Sequence, residues 1–397
     1  MNTSLSNRIN NLPVSATLAM AALGRTLKEQ GKDIISLSLG EPDFNTPDFI
    51  KEAAKQAIDD NYNSYSPVNG YLDLRQAVCL KFKRDNNLNY TPEQIVVSTG
   101  AKQSLANVVL AIVNPGDEVL LPAPYWVSYD AMVNLAEGVS VEIPSSIDTD
   151  FKITPAQLEA AITPKTKLIF FNSPNNPSGS VYSKEEYRAL ADVLAKHPQI
   201  YIISDEIYEH IMYNGTAFSF AAFDDMYDRT ITVNGLSKAF AMTGWRLGYI
   251  GAPAFIAKAC TKMQGQSTSG TNSITQRAAI IALEAPVSSI SYMVDEFKRR
   301  RDLVYQLLSE INGFKLNMPD GAFYFFPDVS YFFGKTIKGK LIKNSFDFSM
   351  LLLEDVYVAT VSGESFGAPD CLRMSYATSE AQLREAVSRM KTLLDGI

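Results

Sequence analysis

The sequence predicts an α/β protein that combines a large three-layer α/β/α domain, built on a mostly parallel sheet, with a smaller α+β domain. Two observations predict the large domain. Between Tyr71 and Pro286, apolar runs rich in β-branched residues alternate with helical patterns of roughly 10 to 15 residues. Several of these runs are apolar on both faces, which is typical of parallel strands covered by helices on both sides. A long helical pattern after Pro286 ends the alternation, and the strand patterns that follow it predict the smaller domain.

The length of the chain agrees with this division. Its 397 residues exceed one typical domain and suit two or three. We predict an N-terminal arm with part of the small domain over residues 1–45, the large domain over 46–290 and the small C-terminal domain over 291–397. Hydrophobic residues make up 46% of the chain and charged residues 20%, so there is enough apolar side chain for a sizeable core.

The first elements are predicted from their ends. A polar arm leads into a helix, TLAMAALGRTLKEQG, which ends at Gly31, and a short strand, IISLSLG, follows it. Pro47 is predicted at the first position of the next helix, where its missing N–H costs nothing. A further helix, YLDLRQAVCLKFKRD, precedes the strand QIVVSTG, after which a helix begins at Ala101.

The remaining elements complete both domains. The predicted strands of the large domain are EVLLPAP, VSVEIP, KLIFFNS, YIISDE and TITVNGLS. Beyond Pro286 a long helix is predicted over VSSISYMVDEFKRRRDLVYQLLSEI. The segments FKLNMP, AFYFFPDV, VYVATVSG and CLRMSYA are predicted as antiparallel strands of the small domain.

Charge and hydropathy exclude several classes of protein. The formal net charge of −7 argues against a surface for nucleic acid or for an anionic membrane. No apolar run reaches the length of about 18 residues that a membrane-spanning helix needs. The N-terminus, MNTSLSNRINNLPVSATLAM, is polar and lacks the hydrophobic region of a signal peptide, so we expect a cytoplasmic protein.

Cysteine and histidine are scarce. Cys79, Cys260 and Cys371 are scattered and form no CxxC pair, which argues against a disulfide framework and a zinc site. The two histidines, His197 and His210, argue against a histidine-based catalytic triad or metal centre, and we predict no metal. If the protein is an enzyme, Lys, Tyr, Asp or Glu should transfer its protons.

Two turns that follow predicted strands are candidate ligand sites, because open parallel sheets bind ligands at the carboxyl ends of their strands. Gly100-Ala101-Lys102 opens a helix after IVVSTG, and the N–H groups there can bind a phosphate, although a plain turn has the same composition. Asn176 follows LIFFNS in a proline-flanked turn, which either aims its amide into a cleft or is purely structural. Neither GxGxxG nor GxxxxGK[ST] occurs, which disfavours a nicotinamide dehydrogenase or an ATP site.

The other strand ends carry charged side chains. Asp205 follows YIIS, and Tyr208 comes three residues later, where it can face the same side of a helical turn. Lys238 follows TITVNGLS; it is either a surface lysine or a desolvated amine that can form a Schiff base with a carbonyl group. Arg246 can pair with a phosphate or carboxylate. Taken in order, a helix-end phosphate site, Asn, Asp, Tyr, Lys and Arg are what a pyridoxal-phosphate (PLP) site requires.

The chain resembles the class I/II aminotransferases of PLP fold type I, and within them the bacterial aspartate aminotransferase branch. The resemblance covers nearly the whole chain in the family's order. It is carried by SLSLGEPDFNTP (36–47), YSPVNGYLDLR (65–75), STGAKQ (98–103), PYWVSY (124–129), SPNNPSG (173–179), SDEIYEH (204–210), GLSKAFAMTGWRLGY (235–249) and LRMSYA (372–377).

The resemblance implies that the large domain binds PLP. It implies that Lys238 holds the cofactor as a Schiff base and later moves the substrate Cα proton, and that Asp205 pairs with the pyridine nitrogen. Tyr208 and Asn176 would hydrogen-bond the phenolic oxygen, and Trp126 would stack on the ring. The complete set of implied cofactor residues is Tyr65, Gly100, Ala101, Lys102, Trp126, Asn176, Asp205, Tyr208, Ser237, Lys238 and Arg246.

The resemblance also implies a substrate site. Arg373 would bind the substrate α-carboxylate, and Lys102 would bind the side-chain carboxylate of an acidic substrate. The complete set of implied substrate residues is Ser15, Gly40, Lys102, Trp126, Asn176 and Arg373. Tyr65 would reach the cofactor phosphate of a partner subunit, so a homodimer is implied.

We therefore expect ping-pong transamination between L-aspartate and 2-oxoglutarate, giving oxaloacetate and L-glutamate. Aromatic amino acids or prephenate are alternative substrates, since prephenate also carries a second carboxylate. A β-lyase or decarboxylase on the same fold is a further alternative, and a non-enzymatic cofactor-binding module is the most distant one.

Overall fold

The computed structural model describes residues 4–397. The α-helices are α1 (Asn7–Asn11), α2 (Ala16–Glu29), α3 (Asp48–Asp59), α4 (Leu72–Asn86), α5 (Ala101–Ile112), α6 (Ser128–Leu135), α7 (Pro155–Ala161), α8 (Lys184–Ala195), α9 (Asp224–Tyr227), α10 (Ala254–Ser267), α11 (Ser273–Glu284), α12 (Ser291–Ser309), α13 (Ser345–Val356) and α14 (Glu380–Leu394). The strands are β1 (Ile35–Ser36), β2 (Ile95–Ser98), β3 (Glu118–Pro122), β4 (Val139–Ile143), β5 (Thr166–Asn172), β6 (Tyr201–Asp205), β7 (Thr230–Gly235), β8 (Gly248–Gly251), β9 (Tyr324–Phe325), β10 (Thr336–Ile337), β11 (Lys340–Leu341), β12 (Val358–Ala359), β13 (Val361–Ser362) and β14 (Leu372–Ser375).

A seven-stranded sheet forms the centre of the large part of the molecule, in the order β2-β8-β7-β6-β5-β3-β4. Alternate residues of its strands enter different apolar clusters. Leu168 and Phe170 of β5 pack in the cluster that includes α5, α6 and α10, whereas Ile169 and Phe171 pack in the cluster that includes α7 and α8. At the β2 end, α3, α4 and α11 cover the face opposite α5. The predicted three-layer architecture and mostly parallel sheet are confirmed.

One strand of this sheet runs against the others. β8 is antiparallel to both β2 and β7. The sequence analysis did not predict β8, because its four residues, GYIG, give only two apolar positions between glycines. The reversal has a consequence for the site, since the segment that precedes β8 reaches the same sheet edge as the segments that follow the parallel strands.

The C-terminal part has an apolar cluster to which α12, α13 and α14 contribute, and Ile207, Tyr208, Ile211 and Tyr213 from the segment after β6 also pack in it. Its three-stranded antiparallel sheet has the order β13-β14-β9. The prediction of one antiparallel strand over VYVATVSG was wrong. The run is interrupted at the buried Thr360, so that β12 pairs in parallel with β1 and β13 pairs with β14.

Three further expectations differ from the structure in detail. FKLNMP is not a strand; Lys315 only bridges to Asp328. The long helix starts at Ser291, after a 3-10 turn over Val287–Ile290. Pro47 is the residue before the first helical one, so α3 starts one position later than predicted. The domain boundaries at 45/46 and 290/291 stay predictions.

Helix length and hydropathy bear on the membrane question. Across residues 4–397, no single helix is long and apolar enough to span a membrane. The segments Ser273–Glu284 and Val287–Ser309 meet the length and hydropathy requirement only as a pair, and they are bent by 110° at their junction.

Candidate active site

A cavity of about 670 Å³ lies at the carboxyl-terminal edge of the parallel strands. This volume is within the range of roughly 300–1,000 Å³ that is usual for small-molecule sites. The cavity is lined by twelve residues that the sequence analysis singled out: Ser15, Gly40, Ala101, Lys102, Trp126, Asn176, Asp205, Tyr208, Ser237, Lys238, Arg246 and Arg373.

The sheet register explains why residues so far apart in sequence meet here. Asn172, Asp205 and Val233 are direct partners across β5, β6 and β7. The turns that carry Asn176, Tyr208 and Lys238 therefore start side by side, because parallel strands end at the same edge. Asp205 itself is the last residue of β6.

The surroundings of Lys238 disfavour the charged form of its amine. Burial lowers the pKa of the Lys238 amine to about 8; the nearby Glu41 opposes this change, and the charges of Arg373 and Arg246 add to it. The amine donates a hydrogen bond to the backbone oxygen of Gly40 at 2.5 Å. Near pH 7 about a tenth of the amine is thus neutral, far more than for an exposed lysine, and a nucleophilic amine requires this neutral form.

Asp205 is a buried carboxylate with its own hydrogen-bond donors. Tyr129 donates to Oδ2 at 2.7 Å and the Ile207 N–H donates to Oδ1 at 3.2 Å. Burial raises the pKa of Asp205 to about 6, although these hydrogen bonds and the charge of Lys238 oppose the rise. A cationic partner in the cavity would favour the ionised carboxylate.

Arg373 is almost fully buried, with 1% of its surface exposed. Its guanidinium donates to Asn176 Oδ1 at 3.0 Å and to the backbone oxygen of Ser38 at 2.7 Å. Its Nε atom is buried and has no hydrogen-bond partner among residues 4–397. Within the described chain, no carboxylate forms a hydrogen bond with the Arg373 guanidinium. This cation is therefore available for an anionic ligand.

The start of α5 forms a second anion site. Gly100 has φ +85°, and a side chain at this position would collide with the guanidinium of Arg246. Glycine therefore lets Arg246 lie directly against the turn that opens α5. Helix N-termini bind anions, and an adjacent guanidinium strengthens this preference. Ser237 and Thr243 line the cavity with Arg246.

A further cation lies elsewhere in the same cavity. The Lys102 ammonium is 4.8 Å from the centre of the Trp126 ring, and burial together with Arg246 lowers its pKa. Ser15, which precedes α2, also lines the cavity, and its side chain does not cap that helix. The resemblance implies that both residues bind the substrate, and this role stays a prediction.

Two predicted residues lie outside the cavity lining. Tyr65 is 99% exposed, and Gly100 lies behind Ala101 and Arg246. The sequence analysis gave no role to Tyr129, which donates to Asp205, or to Tyr324, whose hydroxyl lies 2.8 Å from that of Tyr208. Tyr129 was within a quoted motif, but a tyrosine facing inward from a helix is usually a core residue.

These features fit an anionic, carbonyl-bearing aromatic cofactor. Lys238, whose amine has a lowered pKa, the buried Asp205 carboxylate and Arg373 line one cavity together with the anion site at the start of α5. A lysine for a Schiff base, a carboxylate for a pyridine nitrogen and a cradle for a phosphate are what PLP requires of a protein. The fold and site together define the class of PLP-dependent enzymes.

Comparison with known proteins gives the family. Residues 32–390 match the family model described as aminotransferase class I and II. The chain is 47% identical to an aspartate/prephenate aminotransferase of Cereibacter sphaeroides, covering 99% of both chains. It is 44% identical to the crystal structure of the aspartate aminotransferase from Rhizobium meliloti, with 98% of each chain covered and a TM-score of 0.96. The aspartate aminotransferase of Thermus thermophilus with maleate gives 41% identity, 98% and 99% coverage and a TM-score of 0.93.

The chain belongs to the class I and II aminotransferases. The enzyme uses pyridoxal 5′-phosphate, acts on amino acids and 2-oxo acids, and has the fold of the aspartate aminotransferase structures. The predicted family, fold and cofactor are confirmed.

Proposed function

We propose that this enzyme transfers the amino group of L-aspartate to 2-oxoglutarate by a ping-pong mechanism, giving oxaloacetate and L-glutamate. The observation that carries the proposal is that the cavity holds two cations, Arg373 and Lys102, in addition to Arg246 of the phosphate site and the reactive amine of Lys238. They match the two carboxylates of an acidic amino acid. The names of the relatives support this choice, as does the Thermus structure, because maleate is a dicarboxylate.

The chemistry is divided between the cofactor and the chain. PLP, when bound, supplies an electron-withdrawing ring that stabilises negative charge at the substrate Cα. Lys238 supplies the amine that holds the cofactor and that accepts the Cα proton once the substrate amine has displaced it. A pKa near 8 suits both roles, because the amine is neither fully protonated nor too weak a base at neutral pH.

Other residues hold the cofactor in a productive state. The Asp205 carboxylate keeps a proton on the pyridine nitrogen, and Tyr129 keeps that carboxylate in place. Tyr208 and Asn176 would donate hydrogen bonds to the phenolic oxygen of the cofactor, and Trp126 would pack against its ring. The phosphate is held at the start of α5 by the residues Gly100, Ala101, Ser237 and Arg246.

The substrate is oriented at both of its ends. Arg373 binds the α-carboxylate, with its orientation fixed by Asn176 and the backbone of Ser38. The backbone oxygen of Gly40 accepts from Lys238 and keeps the amine at the edge of the cavity. Lys102 binds the side-chain carboxylate, and Ser15 assists it from the start of α2.

Replacing Lys102 by Met tests the choice of substrate. We expect kcat/KM for L-aspartate to fall roughly 100-fold, because the variant lacks the charge for the second carboxylate, while the value for L-phenylalanine changes little. Lys167→Met is the matched control: its ammonium also lies over an aromatic ring, that of Tyr201, but outside the cavity. An equal loss for both amino donors in Lys102→Met would contradict the proposal.

Prephenate is the second candidate for the amino acceptor, and a specific feature favours it. Leu18 and Leu39 line the cavity together with Trp126, so apolar surface is available beside Lys102. The Cereibacter relative is named for both aspartate and prephenate. A panel that contains 2-oxoglutarate, prephenate and phenylpyruvate separates the acceptors, and release of ammonia or pyruvate would instead indicate a β-lyase.

We also propose a homodimer in which Tyr65 completes the partner's phosphate site. The supporting observation is the near-total exposure of this aromatic side chain in a single chain. Mixing Lys238→Ala chains with Tyr65→Phe chains tests it. Each mixed dimer would contain one site with both defects and one site with neither, so activity should rise above that of either parent. No rise after proven subunit exchange would exclude the shared site.

A cytoplasmic location is the last part of the proposal. Cys79, Cys260 and Cys371 are all free thiols, which supports this location because thiols stay reduced in the cytoplasm. Cell fractionation with an antibody against the protein tests it, and recovery in the periplasmic or membrane fraction would contradict it.

A further inference from the structure

Tyr324 contacts both Arg373 and Tyr208, two residues with proposed roles in binding the substrate and the cofactor. Tyr324 itself has no role in the proposed function. It is fully buried in β9 and pairs with Ser375 of β14, two residues beyond Arg373. The Arg373 guanidinium lies over the Tyr324 ring, 4.8 Å from its centre. The two hydroxyl oxygens of Tyr324 and Tyr208 are 2.8 Å apart.

The surroundings of the Tyr324 hydroxyl fix its position. A Cβ atom at Gly40 would collide with this oxygen, so glycine lets the backbone lie directly on it. The same stretch of backbone accepts hydrogen bonds from Lys238 at Gly40 and from Arg373 at Ser38. Tyr324 therefore has little freedom to turn away from Tyr208.

The direction of the hydrogen bond between the two tyrosines follows from the number of protons. Each hydroxyl can donate once, and Tyr208 must use its proton for the phenolic oxygen of the cofactor if the proposed function is right. We propose that Tyr324 is a positioning residue that donates its proton to Tyr208 and so directs the Tyr208 proton to the cofactor. This inference rests on the role proposed for Tyr208.

The arrangement has an electronic consequence. A hydroxyl that accepts one hydrogen bond is a stronger donor of the next, so Tyr324 strengthens the bond from Tyr208. That bond stabilises negative charge on the phenolic oxygen, which is greatest when the lysine-bound nitrogen of the cofactor carries no proton. Losing Tyr324 should therefore raise the pKa of that nitrogen, in the same direction as losing Tyr208 but by less.

Visible-absorbance titration of the holoenzyme measures this pKa, because the band of the lysine-bound cofactor moves when the nitrogen takes up a proton. Wild type, Tyr208→Phe, Tyr324→Phe and the double variant are titrated without substrate. We expect Tyr208→Phe to raise the pKa by about one unit or more and Tyr324→Phe by about half a unit. The double variant should equal Tyr208→Phe, because Tyr324 acts only through Tyr208.

Tyr376→Phe is the matched control. Its hydroxyl is also buried and donates to another tyrosine, Tyr213, at 2.9 Å, yet Tyr376 does not line the cavity. In Tyr376→Phe, the pKa of the lysine-bound nitrogen of the cofactor should equal that of wild type. The inference is overturned if Tyr324→Phe titrates like wild type, if the two effects add in the double variant, or if Tyr376→Phe gives the same rise. If Tyr208→Phe itself causes no rise, the proposed role of Tyr208 fails and the inference fails with it.

Discussion

Two groups of buried polar side chains lie on opposite sides of the turn that follows β6. They differ in how completely their charges are paired with opposite charges within the chain. Asp205 and Tyr208 face the cavity with Lys238. Glu206 and Glu209 face the other way, towards α4. Both pairs are three residues apart, so successive positions of one turn supply both sides.

The side away from the cavity, here called the rear cluster, consists of Lys81, Asp85, Asn86, Glu206, Glu209, His210 and Asn234. Glu209 pairs with the Lys81 ammonium and accepts hydrogen bonds from Asn86 at 2.7 Å and Asn234 at 2.6 Å. Burial alone would raise the pKa of Glu209, but Lys81 and then His210 lower it to about 2. The charge of Glu209 is thus matched by a partner of opposite sign within the chain.

The cavity side differs because its charges lack such partners. Lys238 bonds only to a backbone oxygen in the described chain, and Arg373 keeps an unpartnered Nε. Buried charges that are paired within the chain hold the turn in place, whereas unpaired ones cost stability and are available to an oppositely charged ligand. Burial is common to both sides, and what distinguishes the cavity side is that two cations, Lys238 and Arg373, have no carboxylate as a hydrogen-bond partner in the described chain.

Lys238→Ala should give the largest functional effect. We expect turnover to fall at least about 10⁴-fold, with loss of the visible band of the lysine-bound cofactor, because no other amine replaces Lys238. The cofactor-free protein should be no less stable at pH 7, since the change removes a buried amine whose charged form is disfavoured. Steady-state kinetics, absorbance and thermal melting of the cofactor-free protein measure these outcomes.

Lys102→Met serves as the control for this variant, because it removes a different lysine from the same cavity and should keep the visible band. Substantial turnover in Lys238→Ala would remove the basis of the assignment. A marked loss of apoprotein stability would instead show that Lys238 resembles the paired charges of the rear cluster.

Lys81→Met should show the opposite pattern, with a large loss of stability. Removing one partner of a buried ion pair costs about 3–5 kcal/mol in the free energy of unfolding, because Glu209 stays buried with its charge unpaired. The double variant Lys81→Met, Glu209→Gln should recover part of this loss, since no buried charge then remains unpaired. Urea unfolding of all three proteins measures the change. Equal stability of wild type and Lys81→Met would show that the ion pair of the rear cluster does not stabilise the fold.

The sequence predicted the cavity side because one simple rule applies there. Asn176, Tyr208 and Lys238 follow parallel strands at short distances, and the ends of parallel strands meet at one edge. Arg246 reaches the same edge for a different reason, since it precedes the antiparallel β8. That strand was too short to predict, so the chemistry of arginine indicated an anion partner for Arg246, and only the family resemblance specified the cofactor phosphate.

The rear cluster and Tyr324 could not be predicted in the same way. Lys81 lies in the run LKFKRD, which has the composition of a solvated helix face, yet only 1% of its surface is exposed. Its pairing with Glu209 depends on how α4 packs against the turn that follows β6, a contact that spans more than a hundred residues. Tyr324 is one of several aromatic residues in AFYFF, and only the pairing of β9 with β14 separates it from its neighbours. The three-residue spacing of Glu206 and Glu209 was the one usable signal.

Glu206→Gln should give the smallest effect, and its sign depends on pH. Burial raises the pKa of Glu206 to about 8, and the neighbouring Glu209 charge adds to this, against hydrogen bonds from Ser219 and Ser204. A pKa raised from 4.5 in the folded state means that the contribution of Glu206 to stability is complete below pH 4.5 and is lost as pH rises through about 8.

Gln cannot ionise and has nearly the same shape, so the variant should lack this loss. Its free energy of unfolding should match that of wild type near pH 5 and exceed it by about 2 kcal/mol at pH 9. Urea unfolding at both pH values measures the difference, and Glu185→Gln, an exposed position on α8, controls for the loss of one charge. A stability difference that does not change between pH 5 and pH 9 would show that Glu206 is ionised in the folded protein. The rear cluster would then hold an unmatched negative charge, as the cavity side holds unmatched charges, and the contrast between the two sides of the turn would disappear.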